Sequence, residues 1–230
     1  MRLLFIRHGE PNYRDDCLTP KGLEQAKACA ERLKDEGITK IYASPMGRAQ
    51  QTAQFTADLL GLPIKTLEYM HEISWGSRDG STLPMDGHPW ALASRLIEEG
   101  DWNFKDENWK NHPYFRNNLV LDYHDLITEN IDILLEKYGY ERAGTRYYCH
   151  FTTDETPAIF SHGGSSGCAM AHILNMPFPY FASIFEFWFT SIIEIEFPDK
   201  PGAYVYPRVR LFNDCAHANR KETDEVVYKL

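Results

Sequence analysis

The sequence predicts an α/β fold, a three-layer α/β/α sandwich with a mostly parallel central sheet and an inserted loop and helix subdomain. Three features of the sequence indicate this. Short apolar runs alternate with amphipathic segments of helical period. Polar residues and glycines follow two of these runs directly. The 230 residues, of which 43% are hydrophobic and 25% charged, suffice for one enlarged globular domain.

The first strand and helix are bounded by clear signals. Leu3 to Ile6 is a continuous apolar run, which is typical of a short strand buried on both faces. Thr19 as N-cap, Pro20 as first helical residue and Gly37 beyond the end bound the first helix. The predicted inner stripe of this helix consists of Leu23, Ala26, Ala30 and Leu33.

A second strand, a second helix and a third strand follow. Ile41 to Ala43 predicts a strand, and Ser44-Pro45 predicts the start of a helix that ends at about Gly61. Pro63 to Leu67 predicts the next strand. This alternation of strands and helices indicates parallel pairing.

An irregular stretch from Ser74 to about Tyr123 predicts an insertion, at about 74–123, within a single domain that spans 1–230. Its aromatic residues either form a small core or line a pocket for an apolar or ring-bearing group. The helical pattern returns from Leu126 to Tyr138. Its core positions are Ile127, Ile131, Leu134 and Leu135.

The last third of the chain predicts three strands. The first, Ala158 to Phe160, is followed by a helix from about Ser165 to Leu174, and the later two are Ser191 to Phe197 and Val209 to Asn213. Phe178 to Phe197 contains three glutamates, so it is interpreted as buried loop and strand rather than a membrane span. Its aromatic part could be core, a lid or a contact in a homodimer. The charged segment Lys221 to Leu230 is expected to be loosely held.

Composition excludes several classes of partner. The formal net charge of −9 argues against general binding to nucleic acid or to an anionic membrane surface. The five cysteines form no close pair that would indicate a zinc site or a disulfide framework, and the N-terminal apolar run is too short for a signal peptide. A reducing, cytoplasmic setting is therefore predicted.

Three basic residues are candidates for binding an anion. His8 follows the first strand and His162 follows Phe160, and ligands of parallel sheets bind at the carboxyl ends of the strands. Gly9 and the glycine pair after His162 leave the backbone free to approach a ligand. Arg48 falls in the first turn of the second helix, where a cation costs roughly 0.3–1 kcal/mol unless an anion lies beside it.

The segment from His162 to Ser166 reads as strand, glycine turn and helix start, a geometry that binds anions through backbone N–H groups. It lacks the GxxxxGK[ST] pattern of nucleotide-binding loops. The motifs LLFIRHGE, LTPKGLEQA, ASPMGRAQQTA and FSHGGSS together resemble the histidine phosphatase superfamily, which includes phosphoglycerate mutases and many small phosphatases.

This resemblance implies a role for each matching residue. His8 is similar to the nucleophile that becomes phosphorylated, and Arg7 and Arg48 to the arginines that hold the phosphoryl group. His162 resembles the second histidine of the pocket, and Glu72 the acid that protonates the leaving group. Glu68 is the alternative acid. Asn12 and Gly163 are further candidate phosphate contacts, although the spacing of Asn12 departs from the family pattern.

The chemistry of these residues agrees with those roles. A neutral imidazole attacks phosphorus, while two guanidinium groups and a second histidine hold the phosphoryl oxygens without a metal ion or another cofactor. A carboxyl group then serves as acid in the first step and as base in the second. Few basic residues lie in the insertion, which favours a phosphatase of small phosphorylated metabolites. A phosphoglycerate mutase, or an inactive binding protein of the same fold, is the alternative.

Overall fold

The computed structural model of the protein describes residues 1–218, without the side chain of Asn103. The charged segment from Lys221 onward lies outside these residues. The main strands are β1 (Arg2–Arg7), β2 (Pro11–Asn12), β3 (Cys17–Leu18), β4 (Lys40–Ala43), β5 (Ile64–Thr66), β6 (Tyr140–Ala143), β7 (Arg146–Cys149), β8 (Pro157–Ser161), β9 (Ile192–Glu196), β10 (Ala203–Val205) and β11 (Arg208–Asp214). The α-helices are α1 (Pro20–Leu33), α2 (Gly47–Leu60), α3 (Pro89–Glu98), α4 (Val120–Glu136), α5 (Gly163–Ile173) and α6 (Phe178–Ile184).

The fold is α/β, as predicted, with a mixed and mostly parallel six-stranded sheet flanked by helices. The strand order is β11-β9-β1-β8-β4-β5. β1, β8, β4 and β5 run parallel to one another, whereas β9 and β11 are antiparallel to their neighbours. β10, β7 and β6 form a small second sheet, and β2 pairs with β3 in a hairpin.

The chain divides into two compact units. The first comprises Met1–Glu72, Asp132–Gly163 and the described residues from Phe187 onward, and it contains all three sheets. The second comprises Ile73–Ile131 and Gly164–Glu186. The proposed organisation as one domain with an insertion at about 74–123 stays a prediction.

In the first unit, α1 and α2 cover one face of the parallel strands. Apolar side chains of both helices form one core with side chains of β1, β4 and β8. The members of this core are Leu4, Ile6, Cys29, Leu33, Ile38, Ile41, Ala43, Ala53, Ala57, Ala158, Phe160 and Ile192. This packing fixes the carboxyl ends of neighbouring strands at a common level.

The signals that bound α1 are confirmed, but the prediction of its buried face is partly wrong. The Thr19 hydroxyl accepts the Gly22 N–H at 3.0 Å, as an N-cap does, and Pro20 is the first helical residue. Leu23 is exposed, because Gly22 faces inward instead. A Cβ on Gly22 would lie 2.1 Å from the carbonyl oxygen of Glu10, so the helix packs directly on that backbone.

The second helix starts later than predicted. α2 begins at Gly47, with Met46 rather than Ser44 at the N-cap position and with no side-chain cap. The predicted end is confirmed, since Gly61 caps the helix in a left-handed conformation. Arg48 lies in the first turn, as predicted.

The second unit has its own aromatic core. Trp109 packs against Phe115, His124 and Phe178, with ring centroids 5.4, 5.2 and 6.2 Å apart. Phe104 is fully buried. These contacts support the interpretation of the insertion aromatics as a small core, whereas Trp75 and Trp102 remain exposed.

Several elements differ from the sequence prediction. α3 lies in the stretch expected to be irregular, and α4 starts at Val120 rather than at Leu126. α6 forms where loop and strand were predicted, and the hairpin of β6 and β7 was not predicted at all. None of the helices within residues 1–218 has the length and hydropathy of a membrane-crossing segment.

Candidate active site

The strand register places the two candidate histidines side by side. β1 and β8 are parallel neighbours in which Arg7 is paired with Ser161, so His8 and His162 follow their strands at the same level. The ring centroids of the two histidines lie 5.1 Å apart, with 61° between the planes. The structure therefore brings both residues to one edge of the sheet, where parallel sheets bind ligands.

His8 is buried, with 1% of its surface exposed, and its tautomer follows from its contacts. Nδ1 lies 2.7 Å from the carbonyl oxygen of Gly9. A carbonyl oxygen only accepts hydrogen bonds, so Nδ1 carries the hydrogen and Nε2 keeps its electron pair. Burial, and then the charge of Arg7, lowers the pKa of His8 well below its ordinary value, although the bond to Gly9 opposes this. The ring is therefore neutral at neutral pH.

Arg48 connects the second helix to Nε2 of His8. Its Nε–H donates to His8 Nε2 across 3.3 Å, and its Nη1 forms an ion pair with Asp16. Only 4% of the arginine is exposed. The sequence predicted an anion beside this cation in the first turn of α2, and Asp16 is an anion within the protein itself.

Arg7 is held by the segment that precedes β9. Its Nη1 donates to the carbonyl oxygen of Phe187, and its Cζ lies 4.4 Å from the centre of the Phe189 ring, a cation–π contact. The same ring lies 5.7 Å from the ring of His8. The buried Nε of Arg7 has no hydrogen-bond partner in the described part of the chain. Such a donor suits an oxygen of a bound anion.

His162 is fully buried and hydrogen-bonded through one nitrogen. Its Nε2 lies 2.7 Å from Ser44 Oγ, which also accepts the Met46 N–H at 3.2 Å. Within residues 1–218 the Ser44 hydrogen has no acceptor other than Nε2, so we assign the serine hydrogen to Nε2 and the imidazole hydrogen to Nδ1. Nδ1 has no partner among residues 1–218. Burial, followed by the neighbouring His8 and then Arg48, lowers the pKa of His162 well below its ordinary value.

Glu72 lies in a segment anchored beside the same strand ends. In that segment, the carbonyl oxygen of Met70 accepts the Ser161 hydroxyl at 3.3 Å. The backbone N–H of Glu72 points at the sulfur of Met46, 3.4 Å away, just before the start of α2. Glu72 is half-buried, whereas the alternative acid Glu68 is exposed.

Asn12 and Gly163 occupy different surroundings. Asn12 donates to Asp15 at 2.8 Å and accepts from the N–H of Arg14 at 3.1 Å, both within the turn of the β2–β3 hairpin. Gly163, the first residue of α5, borders the guanidinium of Arg7, since a Cβ there would lie 3.9 Å from Nε. The roles of both residues as phosphate contacts stay predictions.

Gly9 packs closely against α1, and its predicted role in the approach to a ligand stays a prediction. A Cβ on Gly9 would lie 2.6 Å from the carbonyl oxygen of Gly22, so only glycine fits. Its N–H donates to the hydroxyl of Thr52 at 3.1 Å, and Thr52 in turn donates to the carbonyl oxygen of Arg48 at 2.8 Å. The loop after His8 and the first turns of α2 are thereby joined.

Sequence reasoning assigned no role in the site to four residues that contact it, namely Asp16, Ser44, Thr52 and Phe189. Ser44 and Thr52 belong to the segment ASPMGRAQQTA, so their motif offered a signal. Asp16 and Phe189 had none, because each contacts an arginine from a distant part of the chain. Within residues 1–218, no group of three or more His, Cys, Asp or Glu side chains is arranged to hold a metal ion.

Comparison with known proteins identifies the family of this chain. A family model described as "Histidine phosphatase superfamily (branch 1)" matches residues 3–111, a range that includes five of the predicted catalytic and phosphate-binding residues, namely Arg7, His8, Asn12, Arg48 and Glu72. The curated protein "Probable phosphoglycerate mutase GpmB" of Enterobacter sp. (strain 638) is 26% identical over 235 residues, with 98% of this chain and 99% of that protein covered. The chain belongs to the histidine phosphatase superfamily.

Solved structures of other proteins share the histidine phosphatase fold. A variant of the phosphoserine phosphatase of Entamoeba histolytica, in complex with phosphoserine, matches with a TM-score of 0.63 at 21% identity, covering 94% of this chain and 98% of that one. The mycobacterial glucosyl-3-phosphoglycerate phosphatase with inorganic phosphate matches with a TM-score of 0.64 at 20% identity, covering 95% and 99%. At these identities the likeness concerns the fold.

Proposed function

We propose that this member of the superfamily hydrolyses small phosphomonoesters through a covalent phosphohistidine on His8, without a metal ion. The observation that supports this most is the hydrogen bond from His8 Nδ1 to the Gly9 carbonyl, which leaves Nε2 with an electron pair beside a buried guanidinium. A neutral imidazole held in this way is a nucleophile for phosphorus.

The reaction has two balanced steps. In the first, His8 Nε2 bonds to phosphorus while the bond from phosphorus to the ester oxygen breaks, and Glu72 gives its proton to the leaving oxygen. In the second, a water oxygen attacks the phosphohistidine and gives a proton to the Glu72 carboxylate. The nitrogen–phosphorus bond then breaks, and inorganic phosphate leaves.

Three groups stabilise the phosphoryl oxygens in this proposal. The guanidinium groups of Arg7 and Arg48 supply positive charge, and His162 supplies its Nδ1–H as a donor. The unpartnered Arg7 Nε and His162 Nδ1 support these roles, because buried donors normally have acceptors. Two guanidinium groups beside a neutral nucleophile also account for binding of a phosphate dianion without a metal ion.

The substrate class we propose is that of small phosphorylated metabolites. Related folds have been solved with phosphoserine, 3-phosphoglyceric acid and inorganic phosphate. Kinetics with phosphoserine, a phosphoglycerate, a sugar phosphate and a nucleoside monophosphate would identify the leaving group. Equal rates across this panel would indicate that the chain does not select its leaving group.

Hydrolysis of an aryl phosphate in the presence of a chelator tests the proposal. We expect activity to survive chelation and to vanish in His8→Ala, and we expect intact-mass analysis of the acid-quenched enzyme to detect one added phosphoryl group. His150→Ala is the matched control, because His150 is an exposed histidine that directly follows β7. A rate abolished by the chelator would indicate a metal enzyme, and a fully active His8→Ala would exclude the phosphohistidine. Absence of both hydrolysis and transfer would indicate a binding protein.

A phosphoglycerate mutase is the second candidate, favoured by the name of the curated relative. The two functions differ in the acceptor of the phosphoryl group, which is a sugar-acid hydroxyl for the mutase and water for the phosphatase. Interconversion of phosphoglycerate isomers faster than release of free phosphate would decide for the mutase.

The role of Glu72 is tested by how strongly the effect of its replacement on the rate depends on the leaving group. A poor alkoxide leaving group needs a proton in the transition state, whereas a good aryl oxide needs it much less. We therefore expect Glu72→Gln to slow phosphorylation of His8 by phosphoserine about 10²- to 10⁴-fold, and by an aryl phosphate far less. Glu68→Gln is the control. If Glu68→Gln produces this pattern instead, the acid is Glu68.

A further inference from the structure

Asp16 occupies an unusual place next to the phosphoryl-binding arginine. Its carboxylate forms an ion pair with Nη1 of Arg48 and accepts the N–H of Gly47 at 2.6 Å. The carboxylate thus contacts both the first residue of α2 and the side chain of the second residue. The anion also lies at the positive end of the helix dipole, where it is stabilised.

The backbone around Asp16 is built to hold this carboxylate. Asp16 has a φ of 47°, in the left-handed region that most residues avoid. Its carbonyl oxygen packs on the start of α2 so closely that a Cβ on Gly47 would lie 2.2 Å from it. In the preceding turn, Asn12 bonds to Asp15 and to the N–H of Arg14. The hairpin therefore presents the carboxylate to α2 in one defined position.

The effect of Asp16 on Arg48 is directional. A guanidinium is planar, so fixing Nη1 on one side fixes the direction of the Nε–H on the other. That Nε–H points at His8 Nε2, 3.3 Å away, which is the atom that would bond to phosphorus. Without Asp16, the side chain of Arg48 could adopt other rotamers, and its donors would no longer be preorganised for the transferring group.

We propose that Asp16 is a positioning residue, which holds the guanidinium of Arg48 in the orientation required for phosphoryl transfer to His8. This inference rests on the proposed function. Asp16 acts through Arg48 and needs no contact with the substrate. The competing explanation is that Asp16 only stabilises the hairpin and the start of α2.

The two explanations predict different changes. Asp16 accepts the Gly47 N–H at the start of α2, so its replacement should lower Tm under either explanation. A donor misplaced by about 1 Å lowers a rate on the order of 10²-fold. A positioning role therefore predicts a kinetic loss well below Tm that depends on Arg48, whereas a purely structural role predicts a lower Tm alone.

The experiment compares Asp16→Asn and Asp16→Gly with the wild-type chain and with the same changes in an Arg48→Ala background. Asparagine retains an acceptor for the Gly47 N–H but loses the charge. Glycine removes the side chain and tolerates the left-handed backbone, which protects the fold. Asp58→Asn is the matched control for loss of charge, because Asp58 is an exposed aspartate of α2.

We expect Asp16→Asn and Asp16→Gly to lower kcat/KM for an aryl phosphate about 10- to 100-fold and to weaken inhibition by orthovanadate by a similar factor. In the Arg48→Ala background the same changes should have less than about a 3-fold effect, since the group they position is absent. Unchanged kinetics in both variants, or an equal loss in both backgrounds, would overturn the inference.

Binding of inorganic phosphate distinguishes failure of this inference from failure of the proposed function. If the wild-type chain hydrolyses no phosphomonoester, the proposed function fails, and titration calorimetry with phosphate still tests Asp16. Weaker phosphate binding in Asp16→Asn, seen only where Arg48 is present, supports the positioning role. Phosphate affinity equal to that of the wild type contradicts it.

Discussion

Ser44 shows how one hydroxyl group sets the tautomer of a buried histidine. It accepts the Met46 N–H and contacts His162 Nε2, the acceptor that residues 1–218 offer to its own hydrogen. His162 thereby keeps its hydrogen on Nδ1, the nitrogen without a protein partner within residues 1–218. A residue interpreted from the sequence as a helix cap instead sets the donor that His162 would offer to the phosphoryl group in the proposed function.

Replacement of Ser44 by alanine should therefore affect the chemical step more than binding. Loss of one hydrogen bond, about 1 kcal/mol or more, frees the tautomer and orientation of His162. We expect kcat to fall on the order of 10-fold with a smaller change in KM, measured with an aryl phosphate. Ser183→Ala, in α6, is the control. A raised KM with an unchanged kcat would contradict the assigned tautomer.

Phe189 contacts both Arg7 and His8 through its ring. The guanidinium of Arg7 lies 4.4 Å from the ring centre, and the ring also approaches His8. A desolvated cation–π contact contributes about 0.5–2 kcal/mol. Phe189→Leu should therefore lower kcat/KM roughly 3- to 30-fold. The exposed Phe151, changed to leucine, provides the control, and equal kinetics of the two variants would rule out this role.

At the scale of elements, the short distance between α1 and the loop after β1 fixes the position of His8. Gly9 packs on Gly22, and Gly22 packs on the backbone of Glu10. The loop that follows His8 is thus in direct backbone contact with α1. The hydroxyl of Thr52 in α2 holds the same loop from the other helix.

Gly22→Ala tests this packing, because the close contact predicts a loss of stability where helix propensity alone predicts a gain. In an unconstrained helix, glycine to alanine stabilises by roughly 0.5–1 kcal/mol. Here a Cβ would lie 2.1 Å from the Glu10 carbonyl oxygen, so overpacking should cost about 1–3 kcal/mol of the free energy of unfolding. Urea denaturation measures it. Lys27→Ala, on the exposed side of α1, is the control, and a stabilised Gly22→Ala would refute the close contact.

The elements that sequence reasoning predicted are those with local signals. α1 has an N-cap hydroxyl and a proline, and β1 and β8 are continuous apolar runs. α6 was missed because it is short and rich in aromatic residues, whereas α3 was missed among the irregular segments around it, although Pro89 marks its first turn. β6 and β7 pair locally across a short turn, but β10, more than fifty residues away in sequence, completes their sheet only in the folded chain. The ion pair of Asp16 with Arg48 likewise depends on a tertiary contact.

At the scale of the whole molecule, the net charge and the site have opposite signs. The chain has a formal charge of −9, yet two buried or half-buried arginines face two histidines at one sheet edge. Burial and these positive charges keep both imidazoles neutral, as the lowered pKa values of His8 and His162 indicate. The protein therefore keeps two neutral imidazoles side by side, which is what the proposed nucleophile and donor require.

Neutral buried histidines make the stability of the fold dependent on pH. In the unfolded chain His8 and His162 have ordinary pKa values near 6.5, so below that pH the unfolded state binds more protons than the folded state. The free energy of unfolding should fall as the pH decreases from about 6.5 toward 5.5, by up to about 1.4 kcal/mol per pH unit for each histidine. Above about pH 7 this dependence should disappear.

Other histidines also lower the free energy of unfolding as the pH decreases. Variants are therefore needed to assign part of the pH dependence to His8 and His162. Burial lowers the pKa values of His88, His124 and His217 as well. The double variant His8→Asn/His162→Gln should retain their share and lose that of the site, giving a flatter dependence between pH 6.5 and 5.5. Urea denaturation of both proteins at each pH measures the difference. Parallel pH profiles would mean that the imidazoles of the site are not held neutral, because only a pKa difference between folded and unfolded states produces the slope.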